Sequence, residues 1–322
     1  MAHGSGGIAT SQLISEVFAK HYNNDILCKM EDSAVVPSQD TIAITTDSFV
    51  VNPLFFKGGD IGKLSICGTV NDLLMSGAIP KYITCGFIIE EGASFDDLDK
   101  IAASMALAAA KAGVKIVAGD TKVIEGNGGI YINTSGVGFM PKDRKLSSAS
   151  CKAGDKILLS GSLGNHHATI LSARMNINNS IESDCQTLCE PVKALFDAGI
   201  CIKAMRDVTR GGLATVLNEI SDSCNNGIEI IEQAVPVDEQ VQGFCSILGL
   251  NPLYMGNEGK FIAIIPEEDS ERAEKILTSS PEFCNAKIIG TVIENKSVRL
   301  VTKIGGVIKL DVLYGEGLPR IC

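Results

Sequence analysis

Strand-like and helix-like segments alternate along the whole chain, on both sides of a polar stretch near its middle. In the first half, a strand pattern at 82–89 precedes an alanine-rich helix pattern at 95–112, and another strand pattern follows at 114–118. The second half alternates in the same way after the polar junction at 141–155. Because a domain takes about 150 residues, the sequence predicts an α+β protein with domains at 1–142 and 152–309 and a tail at 310–322.

The tail ends in a cysteine, within the residues Pro319-Arg320-Ile321-Cys322. Chain ends can bury little, so a terminal thiol is better explained as an accessible nucleophile than as a packing residue. Glycines at 315 and 317 would let the tail swing toward a site elsewhere. An accidental C-terminal cysteine in a cysteine-rich chain is the alternative.

The charge of the chain argues against two classes of partner. Its formal net charge is -10, and no long run of Lys and Arg is present to contact phosphates, so neither nucleic acid nor an anionic membrane surface is expected as a partner. The N-terminus has no basic region followed by an apolar core, and no apolar stretch approaches about 18 residues. We therefore expect a cytoplasmic protein.

The eleven cysteines are odd in number and scattered, without a Cys-x-x-Cys pair. Cys67, Cys85, Cys201 and Cys245 lie within apolar patterns, which predicts small buried side chains rather than disulfides. With four histidines and no Cys/His spacing typical of zinc, no structural zinc is expected.

Three acids lie at the ends of predicted strands: Asp47 after 41–46, Asp120 after 114–118 and Asp207 at the end of the segment that begins at 203. A fourth acid, Asp72, lies near a predicted apolar helix stripe formed by Ile61, Leu64, Cys67, Val70 and Leu73/Leu74. A carboxylate at that place needs a cation or a set of donors. If the four converge, their repulsion calls for a divalent cation, and Mg²⁺ held by carboxylates and phosphate oxygens fits such a set. Solvated loop acids are the alternative.

Two glycine-rich segments are weaker signals. Residues 3–7, His-Gly-Ser-Gly-Gly, could wrap backbone N–H groups around an anion or form an unstructured terminus. Residues 161–167 form a glycine turn that ends in His166-His167, predicted to begin a helix with partly exposed imidazoles rather than to bind a metal.

These motifs, in this order, resemble the HypE family of carbamoyl dehydratases, within the superfamily of aminoimidazole ribonucleotide synthase, selenophosphate synthetase and thiamine-monophosphate kinase. The likeness spans essentially the whole chain. It is carried by His3-Gly4-Ser5-Gly6-Gly7, Thr46-Asp47-Ser48, Asp60-Ile61-Gly62-Lys63, Cys67-Gly68-Thr69-Val70-Asn71-Asp72, Gly119-Asp120-Thr121-Lys122, Asp207-Val208-Thr209-Arg210-Gly211-Gly212-Leu213, Gly256-Asn257-Glu258-Gly259 and the terminal Pro-Arg-Ile-Cys. One position departs: where the family usually continues the turn with His-Gly, His167 replaces the glycine, which leaves the role of that turn's backbone open.

The resemblance implies a reaction. In the family, a carbamoyl group arrives on the terminal cysteine, ATP phosphorylates the amide oxygen, and loss of phosphate leaves S-cyanate, which becomes the cyanide ligand of [NiFe]-hydrogenase iron. Asp47, Asp72, Asp120 and Asp207 would hold Mg²⁺ against the triphosphate. Lys63 and Lys122 would contact phosphate, and Asn71 would support the site. Cys322 would carry the substrate, and Glu258 or a neutral Lys122 would be the base.

The resemblance also implies an architecture and partners. The family fold is a two-domain aminoimidazole ribonucleotide synthase-like fold, in which the N-terminal domain forms a β-barrel with a second copy and the C-terminal domain is an α/β sandwich. Expected partners are the carbamoyltransferase HypF and the HypC–HypD complex.

Two other functions fit the same acids. A superfamily kinase or synthetase with a small-molecule acceptor would need no Cys322, and a nucleotide-gated binding protein would bind ATP without stoichiometric phosphate release.

Overall fold

The computed structural model describes residues 12–29 and 33–312, which form two compact units. The first unit contains the described residues up to Leu74 together with Ala78–Pro141, and the second contains Met75–Gly77 and the described residues from Lys142 onward. The predicted anion-binding segment 3–7 and Cys322 lie outside the described residues.

The first unit is built on a four-stranded sheet of order β1-β6-β4-β5, antiparallel except for the parallel pair β4/β5. Short 3-10 and π-helical turns lie near the start of the chain, at Leu27–Lys29 and Ile14–Ala19. The strands and helices are β1 Ile42–Phe49, β2 Phe55–Phe56, β3 Gly59–Asp60, α1 Ile61–Met75, β4 Ile79–Glu90, α2 Phe95–Ala112, β5 Lys115–Ile124 and β6 Ile130–Phe139.

Helix α1 begins at Ile61 for a local reason. The Asp60 carboxylate accepts hydrogen bonds from the backbone N–H groups of Gly62 at 2.7 Å and Lys63 at 3.1 Å, which satisfies two donors of the first turn. The apolar stripe Ile61, Leu64, Cys67, Val70 and Leu73 is buried, as predicted. Gly62 is where α1 and α2 cross, because a Cβ there would lie 2.4 Å from the Ile101 carbonyl oxygen.

The second unit contains a seven-stranded sheet of order β13-β12-β9-β11-β7-β10-β8. Its core includes Ile157, Leu159, Leu217, Ile262 and Ile264, all at 0% exposure. The strands and helices are β7 Lys156–Leu159, α3 Asn165–Arg174, α4 Cys189–Asp197, β8 Ala204–Asp207, α5 Gly212–Cys224, β9 Gly227–Ile231, α6 Glu239–Leu248, β10 Phe261–Ile265, α7 Glu267–Thr278, β11 Lys287–Ile293, β12 Val298–Val301 and β13 Val307–Lys309.

Helix α4 and the segment before it were not predicted from the sequence. Residues 176–188 contain no helix or strand, yet Ile181, Cys185 and Leu188 are almost fully buried in this segment. Within the described ranges, none of the helices has the length and apolarity that a membrane span requires.

Three sequence predictions are wrong in detail. Asp47 and Asp120 lie inside β1 and β5, not after them, because the hydrogen-bonded ladders continue through the pairs Asp47/Thr134 and Gly86/Asp120. Cys201 is exposed rather than buried, whereas Cys67, Cys85 and Cys245 are buried as predicted. The mixed α+β architecture is confirmed.

Candidate functional site

The contact between β1 and α1 brings two of the predicted acids to one place. Thr45 and Asp47 alternate on the face of β1 that meets the helix, and the Thr45 hydroxyl donates to the Asp72 carboxylate at 2.9 Å. One turn earlier in α1, a Cβ on Gly68 would lie 3.8 Å from Asp47 Oδ2. Asp47 and Asp72 therefore share one side of the sheet, although they are far apart in sequence.

Asn71 and Lys63, the other predicted site residues on α1, lie in different surroundings. Asn71 is 2% exposed, which suits a supporting residue better than one that contacts a ligand. Lys63 lies in the first turn of α1, about 13 Å along the helix axis from Asp72, and its Nζ donates to the Gly58 carbonyl at 2.8 Å. The structure does not bring Lys63 next to the Asp47 and Asp72 pair.

Asp120 and Lys122 are neighbours on one face of β5, the edge strand. Lys122 Nζ lies 3.6 Å from Asp120 Oδ2, and the two side chains are 68% and 71% exposed. An ion pair this exposed adds little to the stability of the fold. Because both side chains are exposed to solvent, both are available to a ligand.

A mostly apolar cavity of about 170 Å³ opens beside Asp120. Phe18, Tyr22, Cys85 and Phe87 line it, and Asp120 contributes a polar edge. Burial raises the pKa of Tyr22 well above its ordinary value and that of the Cys85 thiol to about 12, so both groups stay neutral at pH 7. The cavity can hold an apolar group next to a carboxylate.

Glu90 organises the loop that follows β5, and the sequence offered no signal for this role. Its Oε2 accepts from the backbone N–H of Asn127 at 2.8 Å and of Gly129 at 2.9 Å, and its Oε1 accepts from the Tyr131 hydroxyl at 2.8 Å. These hydrogen bonds, the backbone ones first, hold the pKa of Glu90 below its usual range.

In the second unit, Asp207 and Glu258 lie on segments that are joined directly. Asp207 is the last residue of β8, as predicted, and the carbonyl of the next residue, Val208, accepts from the backbone N and the Nδ2 of Asn257, both at 3.0 Å. Asn257 is 0% exposed. Its Oδ1 also accepts from Gly164 N at 2.7 Å, which ties the glycine turn before α3 to the same place.

The histidine pair at the start of α3 is buried, contrary to the expected partial exposure. The reason is that the start of α3 packs against the irregular segment that contains Ser183 and against the turn that contains Gly256. His166 is 2% exposed and its Nδ1 lies 2.8 Å from the Ser183 hydroxyl; burial lowers its pKa to about 4. His167 is 5% exposed, and its backbone N–H donates to the Gly256 carbonyl at 3.2 Å. The backbone N–H of His167 thus bonds within the protein.

In the part of the chain that the structure describes, no three His, Cys, Asp or Glu side chains form a ready-made ligand cluster for a metal ion. Asp47, Asp72 and Asp120 belong to the first unit, and Asp207 and Glu258 to the second. The carboxylate and hydroxyl oxygens at the β1 and α1 contact are nevertheless the ligand type that suits Mg²⁺.

Comparison with known proteins identifies the class first. The protein-family model named AIR synthase related protein, N-terminal domain, matches residues 30–140. The family model for the corresponding C-terminal domain matches residues 152–303. The protein is therefore a two-domain member of the AIR synthase related class.

Full-length relatives narrow this class to one family. The chain is 47% identical to "Carbamoyl dehydratase HypE" of Azotobacter vinelandii over 331 residues, covering 100% of this chain and 96% of the relative. A crystal structure of hydrogenase maturation protein HypE in complex with ATP superposes with a TM-score of 0.96 at 44% identity, covering 100% and 99% of the two chains. A crystal structure of a HypE–HypF complex matches with a TM-score of 0.82 at 44% identity, covering 94% of this chain and 99% of that one. This chain belongs to the HypE family.

Proposed function

We propose that this protein is an ATP-dependent carbamoyl dehydratase that converts an S-carbamoyl group on its own Cys322 into S-cyanate, which supplies the cyanide ligand of [NiFe]-hydrogenase iron. The observation that carries the proposal is the match, over 100% of this chain, to a carbamoyl dehydratase at 47% identity. A HypE with 44% identity was crystallised with ATP, which supports ATP as the phosphoryl donor here.

The reaction needs ATP because an amide oxygen is a poor leaving group. ATP transfers its γ-phosphoryl group to the carbamoyl oxygen while the amide nitrogen releases one proton, giving ADP and a phosphorylated imidate on sulfur. Removal of the remaining N–H proton then expels phosphate and leaves the carbon–nitrogen triple bond. The oxygen of the lost water leaves in the phosphate, and its two hydrogens leave as the two N–H protons, one in each step.

Asp47, Asp72, Asp120 and Asp207 are the proposed Mg²⁺ ligands. The shared side of β1 and α1 supports this for Asp47 and Asp72, and the high exposure of the Asp120 side chain supports it for that residue. When bound, Mg²⁺ lowers the charge on the transferring phosphoryl group. Because no three acids of the described residues are already clustered, phosphate oxygens should supply part of the coordination.

The remaining roles belong to groups that bind phosphate or move the proton. Lys122 lies beside Asp120 on the exposed edge strand β5 and is the better placed phosphate contact. Lys63 would have to give up its hydrogen bond to the Gly58 carbonyl before it could contact phosphate. Asn71 is a supporting residue. Glu258 is our preferred base and a neutral Lys122 the second choice, since Glu258 lies on the turn joined to the end of β8.

A homodimer is supported by the outer face of the first sheet. Ile42, Phe139 and Ile79 form one cross-strand row, and Ile44, Val137 and Tyr82 form the next. Ile44 is 68% exposed and Ile42 and Ile79 are each more than 40% exposed. A contiguous apolar sheet face of this kind is suited to pairing with a second copy, which agrees with a barrel across the dimer.

The other partners and the domain roles follow from the family. We propose HypF as the carbamoyl donor, supported by the HypE–HypF complex, and the HypC–HypD complex as the cyanide acceptor. The segment 1–142 would bind nucleotide and dimerise, 152–309 would complete the site, and 310–322 would carry Cys322 into it. We place these steps in the cytoplasm.

The first test follows the mass of the C-terminal peptide after incubation with HypF, carbamoyl phosphate and MgATP. We expect one carbamoyl group on Cys322 when a non-hydrolysable ATP analogue is used, and loss of one water when ATP is present. The Cys322→Ala variant is the matched control and should acquire neither modification.

Other outcomes would redirect the assignment. ATP consumption with unmodified Cys322 would indicate a kinase with a small-molecule acceptor. ATP binding without phosphate release would indicate a nucleotide-gated binding protein.

A further inference from the structure

The turn that carries Glu258 is held by one buried carboxylate, that of Asp184. Asp184 Oδ1 accepts from the backbone N–H of Glu258 at 3.2 Å, and Asp184 Oδ2 accepts from that of Gly259 at 3.1 Å. The Glu258 carbonyl accepts from Gln186 N at 3.4 Å. Both backbone polar groups of Glu258 are therefore bonded to the irregular segment before α4.

Gly259 shows how closely the two segments approach. A Cβ at this position would lie 1.9 Å from the Asp184 carbonyl oxygen and 2.7 Å from Gln186 Cγ. A side chain at 259 would therefore push the turn away from Asp184.

The charge of Asp184 is balanced inside the protein. The side chain of Asp184 is 5% exposed and that of Lys260 is 8% exposed, with Lys260 Nζ 3.4 Å from Asp184 Oδ2. A buried carboxylate with two amide donors and a cation is satisfied without further ligands. Asp184 is thus suited to holding neighbouring backbone rather than to reacting itself.

Asn257 secures the turn from the other side through Val208 and Gly164. Glu258 lies between these two anchors, next to the segment that ends with Asp207. We propose that Asp184 is a positioning residue for the dehydration step: it fixes the backbone at 258–259 so that the Glu258 carboxylate meets the amide proton. The inference rests on the proposed function and on Glu258 as its base.

The test compares Asp184→Asn with the wild-type protein after full carbamoylation by HypF. Asparagine keeps the size but can accept only one of the two N–H groups. We expect the single-turnover rate constant for S-cyanate formation at saturating ATP, written kcat here, to fall about 10- to 100-fold, since small displacements of reacting groups cost this much. The ATP concentration that gives half of this rate should change less than about twofold. In a Glu258→Gln background, Asp184→Asn should lower kcat less than about twofold further.

Asp155→Asn is a matched control for general destabilisation. Asp155 is also a buried carboxylate, bonded to Lys203 Nζ at 2.6 Å and to Lys152 N at 2.7 Å, and these side-chain hydrogen bonds do not involve residues 256–259. We expect this variant to unfold more easily and to keep its kcat.

Amide hydrogen exchange of the peptide 256–260 gives a readout that does not depend on activity. Asp184→Asn should speed exchange at Glu258 and Gly259 by at least about tenfold, and Asp155→Asn should not. Unchanged exchange, an equal loss of kcat in the Glu258→Gln background, or wild-type kcat in Glu258→Gln itself would overturn the inference. If the wild-type protein forms no S-cyanate, the proposed function fails, while exchange still decides whether Asp184 holds the turn.

Discussion

Asp120 in the first unit and Asp184 in the second differ in how many of their carboxylate partners the protein itself supplies. The Asp120 side chain is 71% exposed, with Lys122 at 3.6 Å, whereas the Asp184 side chain is 5% exposed and bonded to two backbone N–H groups. An exposed carboxylate retains lone pairs for a ligand, whereas a buried one is already satisfied. A change at Asp120 should therefore reduce turnover with little effect on stability, whereas changes around 256–259 should also reduce stability.

The largest effect is expected for Asp120→Asn. Loss of the charge should lower ATP turnover about a thousandfold, because stabilisation of the phosphoryl group is lost. The melting temperature should change by about 1 °C or less, since exposed pairs contribute little. Phosphate release and calorimetry measure the two quantities. Normal turnover would remove Asp120 from the proposed metal site. It would also contradict the conclusion that the exposed Asp120 carboxylate serves a ligand whereas the buried Asp184 carboxylate serves the fold.

Asn257→Ala tests whether the buried turn at 256–259 contributes to stability. It leaves buried partners such as Gly164 N and Met255 O without their hydrogen bonds, so we expect the free energy of unfolding to fall by about 3 to 4 kcal/mol. Urea unfolding measures this. Asn251→Ala is the control, since Asn251 is exposed and caps only the short helix at 252–254, and it should cost about 1 kcal/mol. Equal losses in both variants would contradict the anchoring role of Asn257.

His166 should make the second unit sensitive to acid. Its folded-state pKa near 4 lies below the ordinary value of 6.5, because burial disfavours the charged imidazole. The native state therefore binds this proton less readily: the stability contribution is complete above pH 6.5 and is lost as the pH falls toward 4.

The size of this effect is up to about 3 kcal/mol. Urea unfolding at several pH values should show a steeper loss of stability in the wild-type protein than in His166→Asn. Parallel pH profiles for the two proteins would rule out His166 as the source of the acid sensitivity.

The smallest effects concern two glycines that differ in their surroundings. Gly62→Ala should destabilise the protein by about 1 to 3 kcal/mol, because the new methyl group meets the Ile101 carbonyl where α1 is held in place. Gly243→Ala, inside α6, should stabilise it by about 0.5 to 1 kcal/mol, because a Cβ there meets nothing within 4 Å. Thermal unfolding distinguishes the signs. A stabilising Gly62→Ala would mean that α1 is less tightly packed than the structure indicates.

Element bounds were predictable where local signals agree. The helix at 95–112 is confirmed at both ends: Ser94 accepts from Asp97 N at its start, and Gly113 adopts φ 69° at its end. The predicted strand at 82–89 is also confirmed, within the longer strand Ile79–Glu90. Polar residues misled the prediction for β1 and β5, because neighbouring strands continue the ladders through them.

The sequence by itself determined the alternation of strands and helices, the buried stripe of α1 and the motifs that indicate HypE chemistry. These depend on residue type and short-range spacing, which the chain carries locally. Only the tertiary structure decided that Asp47 and Asp72 share one side of a sheet, that His166 and His167 are buried, and that Asp184 holds the turn of Glu258. Each of these contacts joins residues more than twenty positions apart or depends on the packing of irregular segments, and no local pattern encodes them.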